Sequence, residues 1–279
     1  MRSFLYVPGN RPPKLSSALS RGADALIVDL EDAVPPAEKS SARDDVARWL
    51  RTLDAGSSVY VRINPAETGI ADALAVVCPA LRGLMVAKAS TVAQLSEISA
   101  CLDRAEVGAG LHRRSIDLIP LLETAQAILS APALAAAPRV SRLQIGEADL
   151  AAEIGVTLGE DERELLHVRS MVVLASSAAG IEPPAAAVTT DFRDLDRLRH
   201  TTLALKRLGF RGRACIHPAQ IPVVNEVFTP SSSELEAARD LVSRFEAAGG
   251  GVCLDANGRM VDLAVVRDAR RTLRDGGVS

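Results

Sequence analysis

Short apolar runs recur along the chain, each followed by a polar break and a stretch with helical periodicity. The runs are SFLYVP (3–8), ALIVDLE (25–31), VYVRIN (59–64), GLMVAK (83–88), SIDLIPLLE (115–123), RLQIGEA (142–148), AAAVT (185–189) and RACIHP (213–218). Each has the length and apolar density of a strand buried on both faces. Between them, segments such as SSARDDVARWLRTL and STVAQLSEISACLDR are amphipathic in the manner of helices. Strands alternating with helices predict βαβ units and a parallel sheet. Eight such runs favour a closed (β/α)8 TIM barrel over an open doubly wound sheet.

Beyond the eighth run, SSSELEAARDLVSRFEAA (231–248) predicts one more helix, with a serine cap and a Glu in its first turn. GGG at 249–251 ends it, and VCLDANGRMVDLAVVRDARRTL predicts a hairpin around Asn257-Gly258 and a final helix. The expected organisation is a barrel over 1–230 and a C-terminal helical and hairpin extension over 231–279, packing on a neighbouring subunit.

Several runs that begin as apolar strands end in charge. The second leads into Asp29, Glu31 and Asp32, the third into Arg62 and Asn64, and the fourth into Lys88. The fifth ends in Glu123, the sixth passes through a glycine turn to Glu147 and Asp149, and the eighth ends in His217. In a parallel barrel the C-terminal strand ends form the catalytic face, and ionisable groups are costly to bury there without partners. Period two puts Tyr60, Arg62 and Asn64 on one face of the third strand, and Asp29 with Glu31 on one face of the second. Glu123 and Asp149, from separate strands, suit Mg²⁺, which binds through one or two carboxylates and keeps positions open for water and substrate oxygens. Asp29, Glu31, Asp32 and Arg62 equally suit a structural ion-pair network closing the barrel mouth. Asp117 reads as structural, His112, His167 and His200 as solvated, and His217 as part of a backbone-positioning IHP turn.

Composition narrows the function classes. Of 279 residues, 48% are apolar, enough for a large core. The formal net charge is −3 with signs mixed and aromatics are 3%, so neither a basic stripe nor a stacking platform points to nucleic acid. With no run of eighteen apolar residues and no charged-then-apolar leader, the expectation is a cytoplasmic protein with no membrane partner. Cys78, Cys101, Cys215 and Cys253 are scattered without a CxxC pair, which predicts reduced thiols, and no His pair has zinc spacing. From chemistry alone, the expectation is an Mg²⁺ enzyme acting on a carboxylate-bearing substrate.

The same residues lie in motifs that resemble a known family. RSFLYVPGN, VDLEDAVPPAEKSSAR, VRIN, LIPLLET, IGEADL, LGFRGRACIHPAQI, VNEVFTPS and GRMVDLAVV are similar to those of the citrate lyase beta-subunit group. That group belongs to the HpcH/HpaI aldolase superfamily, which also holds malyl-CoA and citramalyl-CoA lyases. The motifs occur in the family's order across nearly the whole chain. The resemblance implies a (β/α)8 barrel, a homotrimer or a multiple of one, and one Mg²⁺ per site. Carried over, Glu123 and Asp149 are the implied metal ligands, and Arg62 binds substrate oxygens beside the metal. Glu31, Asp32 and Lys88 support them, and Asp262 is the acid/base group, supplied by a neighbouring subunit's tail. Three positions depart from the pattern: Ala87 precedes Lys88 where a Pro-Lys pair is usual, Arg213 stands for a common Lys, and Leu263 for a Pro.

The implied reaction cleaves a 3-hydroxyacyl thioester, such as malyl-CoA, citramalyl-CoA or citryl-CoA, into a 2-oxo acid and an acyl-CoA. Asp262 protonates the thioester enolate, and no Schiff-base lysine is needed. The competing readings are the beta subunit of a citrate lyase acting on a carrier-protein thioester, a metal-dependent pyruvate aldolase, and a non-catalytic thioester-binding paralogue. The GRMVDLAVV tail argues against the aldolase.

Overall fold

The computed structural model of the chain describes residues 1–278. Eight parallel strands close into a barrel in sequence order, each hydrogen-bonded to the next and the eighth to the first. The first half comprises β1 (Ser3–Pro8), α1 (Pro12–Ala18), β2 (Ala25–Asp29), α2 (Lys39–Leu50), β3 (Val59–Ile63), α3 (Ala66–Val76), β4 (Leu81–Val86) and α4 (Val92–Gly108). The second half comprises β5 (Asp117–Leu122), α5 (Ala125–Leu129), α6 (Ala131–Ala135), β6 (Arg142–Ile145), α7 (Glu147–Ile154), α8 (Leu166–Ala179), β7 (Glu182–Ala186), α9 (Leu195–Leu208) and β8 (Gly212–Cys215). There follow α10 (Gln220–Phe228), α11 (Ser232–Ala247), β9 (Cys253–Leu254), β10 (Met260–Val261) and α12 (Leu263–Asp275). The chain forms two compact units, Met1–Val224 and the residues from Asn225 onward.

The strands are mostly apolar because both of their faces are covered. One set of alternate side chains fills the barrel: Phe4, Ala25, Ile27, Tyr60, Met85, Ile119, Leu121 and Ala185 pack as one cluster, with Phe4 edge-on to Tyr60 at 6.2 Å. The other set, including Leu26, Val28, Val59, Val61 and Leu84, is equally buried. By period two it faces the helical layer, whose Leu15, Val46, Leu50, Val76, Leu95 and Leu102 are fully buried. Each such side chain contributes roughly 1.5–3 kcal/mol of transfer free energy. Gly83 on β4 makes room for the largest ring: a Cβ there would lie 2.7 Å from Tyr60 Cε1.

Most strands begin or end a few residues away from the expected runs, and at β2 and β6 the difference shapes the barrel mouth. β2 stops at Asp29, leaving Glu31 and Asp32 in the following turn. The Asp29 carboxylate causes the break: it accepts from Glu31 N at 2.8 Å and Ala33 N at 3.0 Å, folding the chain over its own side chain. β6 stops at Ile145, and Glu147 opens α7 immediately after Gly146. After β4, Lys88 takes a left-handed backbone (φ 51°).

In the unit from Asn225 onward, Ser231 and Glu234 form a reciprocal capping box that starts α11. Gly258, at φ 76°, closes the short hairpin of β9 and β10. Asp262 caps α12, accepting from Ala264 N at 2.9 Å and Val265 N at 3.1 Å. Phe245, Val261 and Val266 form this unit's own core. All four cysteines are free, and burial pushes the Cys215 thiol up to about 12. Among the described residues, no helix is long and apolar enough to cross a membrane.

Candidate active site

A cavity of about 440 Å³ opens at the C-terminal ends of the barrel strands, lined in part by Tyr6, Asp29, Arg62, Glu123, Gln144 and Asp149. Arg62 anchors its polar side. β2 and β3 pair with Asp29 opposite Arg62, and the two side chains meet as a two-pronged ion pair: Nε donates to Asp29 Oδ1 at 2.7 Å and Nη2 to Oδ2 at 2.5 Å. Nη1 reaches Asp32 at 3.2 Å and Glu31 at 3.1 Å. Burial opposes the charge on Arg62, but the bond to Asp29 outweighs it and holds the guanidinium protonated. The guanidinium also lies over the Tyr6 ring, 5.3 Å from its centre.

Glu123 stands just past the end of β5 and is buried. Its Oε1 accepts from Lys88 N at 2.6 Å. Burial pushes its carboxyl up to about 7, helped by the charges of Glu31 and Asp149 and opposed by the Lys88 amide and Arg62. Gly146 makes this position possible, because a Cβ there would lie 2.6 Å from Glu123 Cβ and 3.1 Å from Oε2. Asp149, in the first turn of α7, lines the same cavity. Glu31 is raised by burial and by its bond to Asp32, and Lys88 Nζ pairs with it at 3.2 Å. The mouth therefore holds Asp29, Glu31, Asp32, Glu123 and Asp149 against Arg62 and Lys88, an excess of negative charge.

The donor set fits a hard divalent cation. Glu123 and Asp149 offer carboxylate oxygens to one cavity, and Glu123 is destabilised as a free anion, which a cation would relieve. No group of three or more His, Cys, Asp or Glu suited to a metal occurs among the described residues, so any ion here would draw its remaining ligands from water and substrate.

The structure brings Arg62, Glu31, Asp32, Lys88, Glu123 and Asp149 together around one opening. Asp262, in the second unit, is half-buried and spends Oδ1 on the α12 cap. Sequence reasoning underrated Asp29, which is the principal partner of Arg62. Only the β2–β3 register places the two side by side. It also passed over Tyr6 and Gln144, whose signal was a polar side chain on the inward-facing alternation of β1 and β6. Asp117 pairs with Arg82 at 3.1 Å near the start of β5, a structural contact. His112, His167 and His200 are exposed. His217 is also exposed and accepts from Ala219 N at 3.2 Å through Nδ1 within its own turn.

A closed eight-stranded parallel barrel with an arginine and a carboxylate-rich mouth defines a class of barrel that the sequence match identifies. The chain belongs to the HpcH/HpaI aldolase/citrate lyase family, whose pattern matches residues 2–218. It is 33% identical over 280 residues to the citrate lyase subunit beta of Leuconostoc mesenteroides subsp. cremoris, covering 98% of this chain and 92% of the relative. It is 34% identical over 278 residues to a (3S)-malyl-CoA thioesterase of Cereibacter sphaeroides, covering 98% and 93%. The fold is similar to the crystal structure of Mycobacterium tuberculosis CitE in complex with magnesium, acetoacetate and coenzyme A. That match has a TM-score of 0.79 and 30% identity, over 99% of this chain and 98% of the other.

Proposed function

We propose that the chain is an Mg²⁺-dependent oxo-acid lyase that cleaves, or in reverse forms, the carbon–carbon bond of a 3-hydroxyacyl thioester. Malyl-CoA, citramalyl-CoA and citryl-CoA are the model substrates, giving a 2-oxo acid and an acyl-CoA. The observation that carries this reading is the pairing of buried Glu123 with Asp149 in one cavity beside the Asp29-locked Arg62. Family membership and relatives of near-equal length named for citrate and malyl-CoA chemistry support it.

In this reading Glu123 and Asp149 hold the ion, which when bound supplies Lewis acidity toward the substrate's carboxylate and hydroxyl oxygens. Arg62 presents a fixed positive charge to the oxygens on which charge develops, at no reorganisation cost because Asp29, Glu31 and Asp32 already hold it. Transfer of the substrate hydroxyl proton to solvent water lets the carbon–carbon bond break, its electron pair passing to the thioester as an enolate and the oxygen becoming the carbonyl of a 2-oxo acid. Asp262 of a neighbouring copy delivers a proton to the enolate carbon. That role makes the working form a homo-oligomer, a trimer in the simplest case. Lys88, paired with Glu31, acts as a charge partner and not as a nucleophile.

The test is to incubate the protein with Mg²⁺ and a panel of 3-hydroxyacyl-CoA thioesters and to identify the products. A 2-oxo acid with acyl-CoA supports the lyase. Free CoA thiol without a 2-oxo acid means thioester hydrolysis and overturns it. A second reading, cleavage of a citryl group on a carrier protein, is favoured by the relationship to citrate lyase subunit beta. Turnover of the carrier-bound thioester with none of the CoA panel would select it.

A further inference from the structure

The cavity contains one buried polar group that the chemistry above does not use. Gln144 is paired in register with Leu121, an interior residue of the barrel, so its side chain points into the barrel one layer below Glu123. Its surroundings include the apolar Ile27, Met85 and Leu121 together with the hydroxyl of Tyr6. Gln144 is 2% exposed, yet it lines the cavity. Its Nε2 donates to Tyr6 Oη at 3.1 Å, and that hydroxyl spends its own proton on Met85 Sδ at 2.9 Å. The other end of the amide, Oε1, is buried and has no hydrogen-bond partner among the described residues.

A buried amide oxygen without a donor opposes folding, and the residue that carries it lines the cavity. A core glutamine with no task would be better replaced by leucine. The chain instead holds the amide by its nitrogen end, through Tyr6, and leaves the acceptor end buried without a partner. From this we infer that Gln144 is a specificity-determining residue. Its Oε1 takes a hydrogen bond from a donor, such as a hydroxyl, on the substituent of the 2-oxo acid half. The preferred substrates are then relatives of the model thioesters that release a hydroxylated 2-oxo acid in place of glyoxylate, pyruvate or oxaloacetate. This deepens the function proposed above and rests on it for the identity of the ligand.

The test uses a near-isosteric pair, hydroxypyruvate and 2-oxobutyrate, with oxaloacetate as an acceptor-bearing third ligand. Binding to the Mg²⁺-loaded protein is measured by calorimetry, without turnover. The wild type is expected to bind hydroxypyruvate about tenfold or more tighter than 2-oxobutyrate, because a site built around a hydrogen bond penalises the analogue that lacks it. Gln144→Leu is expected to bring that ratio to about one or to invert it. Gln144→Met serves the same purpose if the leucine variant does not fold. In metal-free, ligand-free protein the thermal midpoint of either variant should equal or exceed that of the wild type, since an unsatisfied buried polar group has been removed. A wild-type ratio near one, a ratio unchanged by substitution, or oxaloacetate binding tightest would overturn the inference. So would a lowered midpoint in the ligand-free variants, the mark of a structural amide. Ligand preference as expected but no thioester cleavage leaves the inference standing and removes the lyase reading. Cleavage without the preference does the reverse.

Discussion

Two buried glutamates with opposite electrostatics separate the part of this barrel that holds itself together from the part built to hold something else. Glu106, on α4, accepts from Arg139 Nη1 and Nη2, each at 2.7 Å, from Arg114 N at 2.8 Å and from Ile116 N at 2.9 Å. Burial raises its pKa, but these bonds outweigh burial and the carboxyl lies below its ordinary range. Arg139 is also paired with Asp103. Glu123 is nearly as buried, but it has one backbone donor and further carboxylates nearby, and it is pushed up to about 7. The first glutamate has all its charge answered by the protein. The second has its charge answered by one backbone amide and opposed by its carboxylate neighbours.

The sharpest break in this comparison is Glu123→Ala. If Glu123 holds the ion as proposed, the change should cut Mg²⁺-dependent cleavage on the order of 10³-fold or more. Its circular dichroism spectrum should match that of the wild type; full activity would discard the metal assignment. The corresponding change in the closed network, Arg139→Met, strands Glu106 and should destabilise the fold by about 3–5 kcal/mol, read from denaturant midpoints. In that variant the folded fraction should keep its kcat.

A third expectation concerns pH. In metal-free protein the folded state retains the Glu123 proton up to about 7, whereas an ordinary glutamate releases it at about 4.5. The folded state thus binds more protons between these values, and stability falls as pH rises through them, by on the order of 3 kcal/mol. Glu106 has the opposite sign: its lowered pKa contributes stability above the ordinary carboxylate range, and that is lost as pH falls through the depressed value. Glu123→Gln should therefore exceed the wild type in stability at pH 8 and differ little at pH 5 in chelator-treated samples. Equal stabilities at pH 8 would show that Glu123 is not strained.

The smallest expected effect on stability belongs to Asp262→Asn. Asparagine caps a helix as well as aspartate does, so the thermal midpoint should move by less than about 1 kcal/mol equivalent. Exchange of the thioester α-protons with solvent should stop while 2-oxo acid binding persists. Unchanged exchange would assign the acid/base role elsewhere.

Much of the fold was legible because strands covered on both faces are mostly apolar, and β1 and β3 form over almost the whole of their predicted runs. The ends of β2 and β6 were less legible, since they depend on a carboxylate turning the chain at Asp29 and on a glycine yielding to Glu123. Arg62, Glu123 and Asp149 could be singled out from charge at strand ends. The role of Asp29 could not, because Glu31 and Asp32 are as close in the chain and only the strand register makes Asp29 the partner. Tyr6 and Gln144 were hidden by the same periodicity that marks the core.

By itself, then, the sequence determined the barrel, its strand order and the residue types gathered at its C-terminal face, because hydrophobic alternation is local and each βα unit carries its own pattern. Tertiary structure decided which charges answer one another. Pairing energies and desolvation depend on distances of a few ångströms between residues that are tens of positions apart, as Arg62 is from Asp29 and Gln144 from Tyr6. Those distances exist only once the barrel has closed.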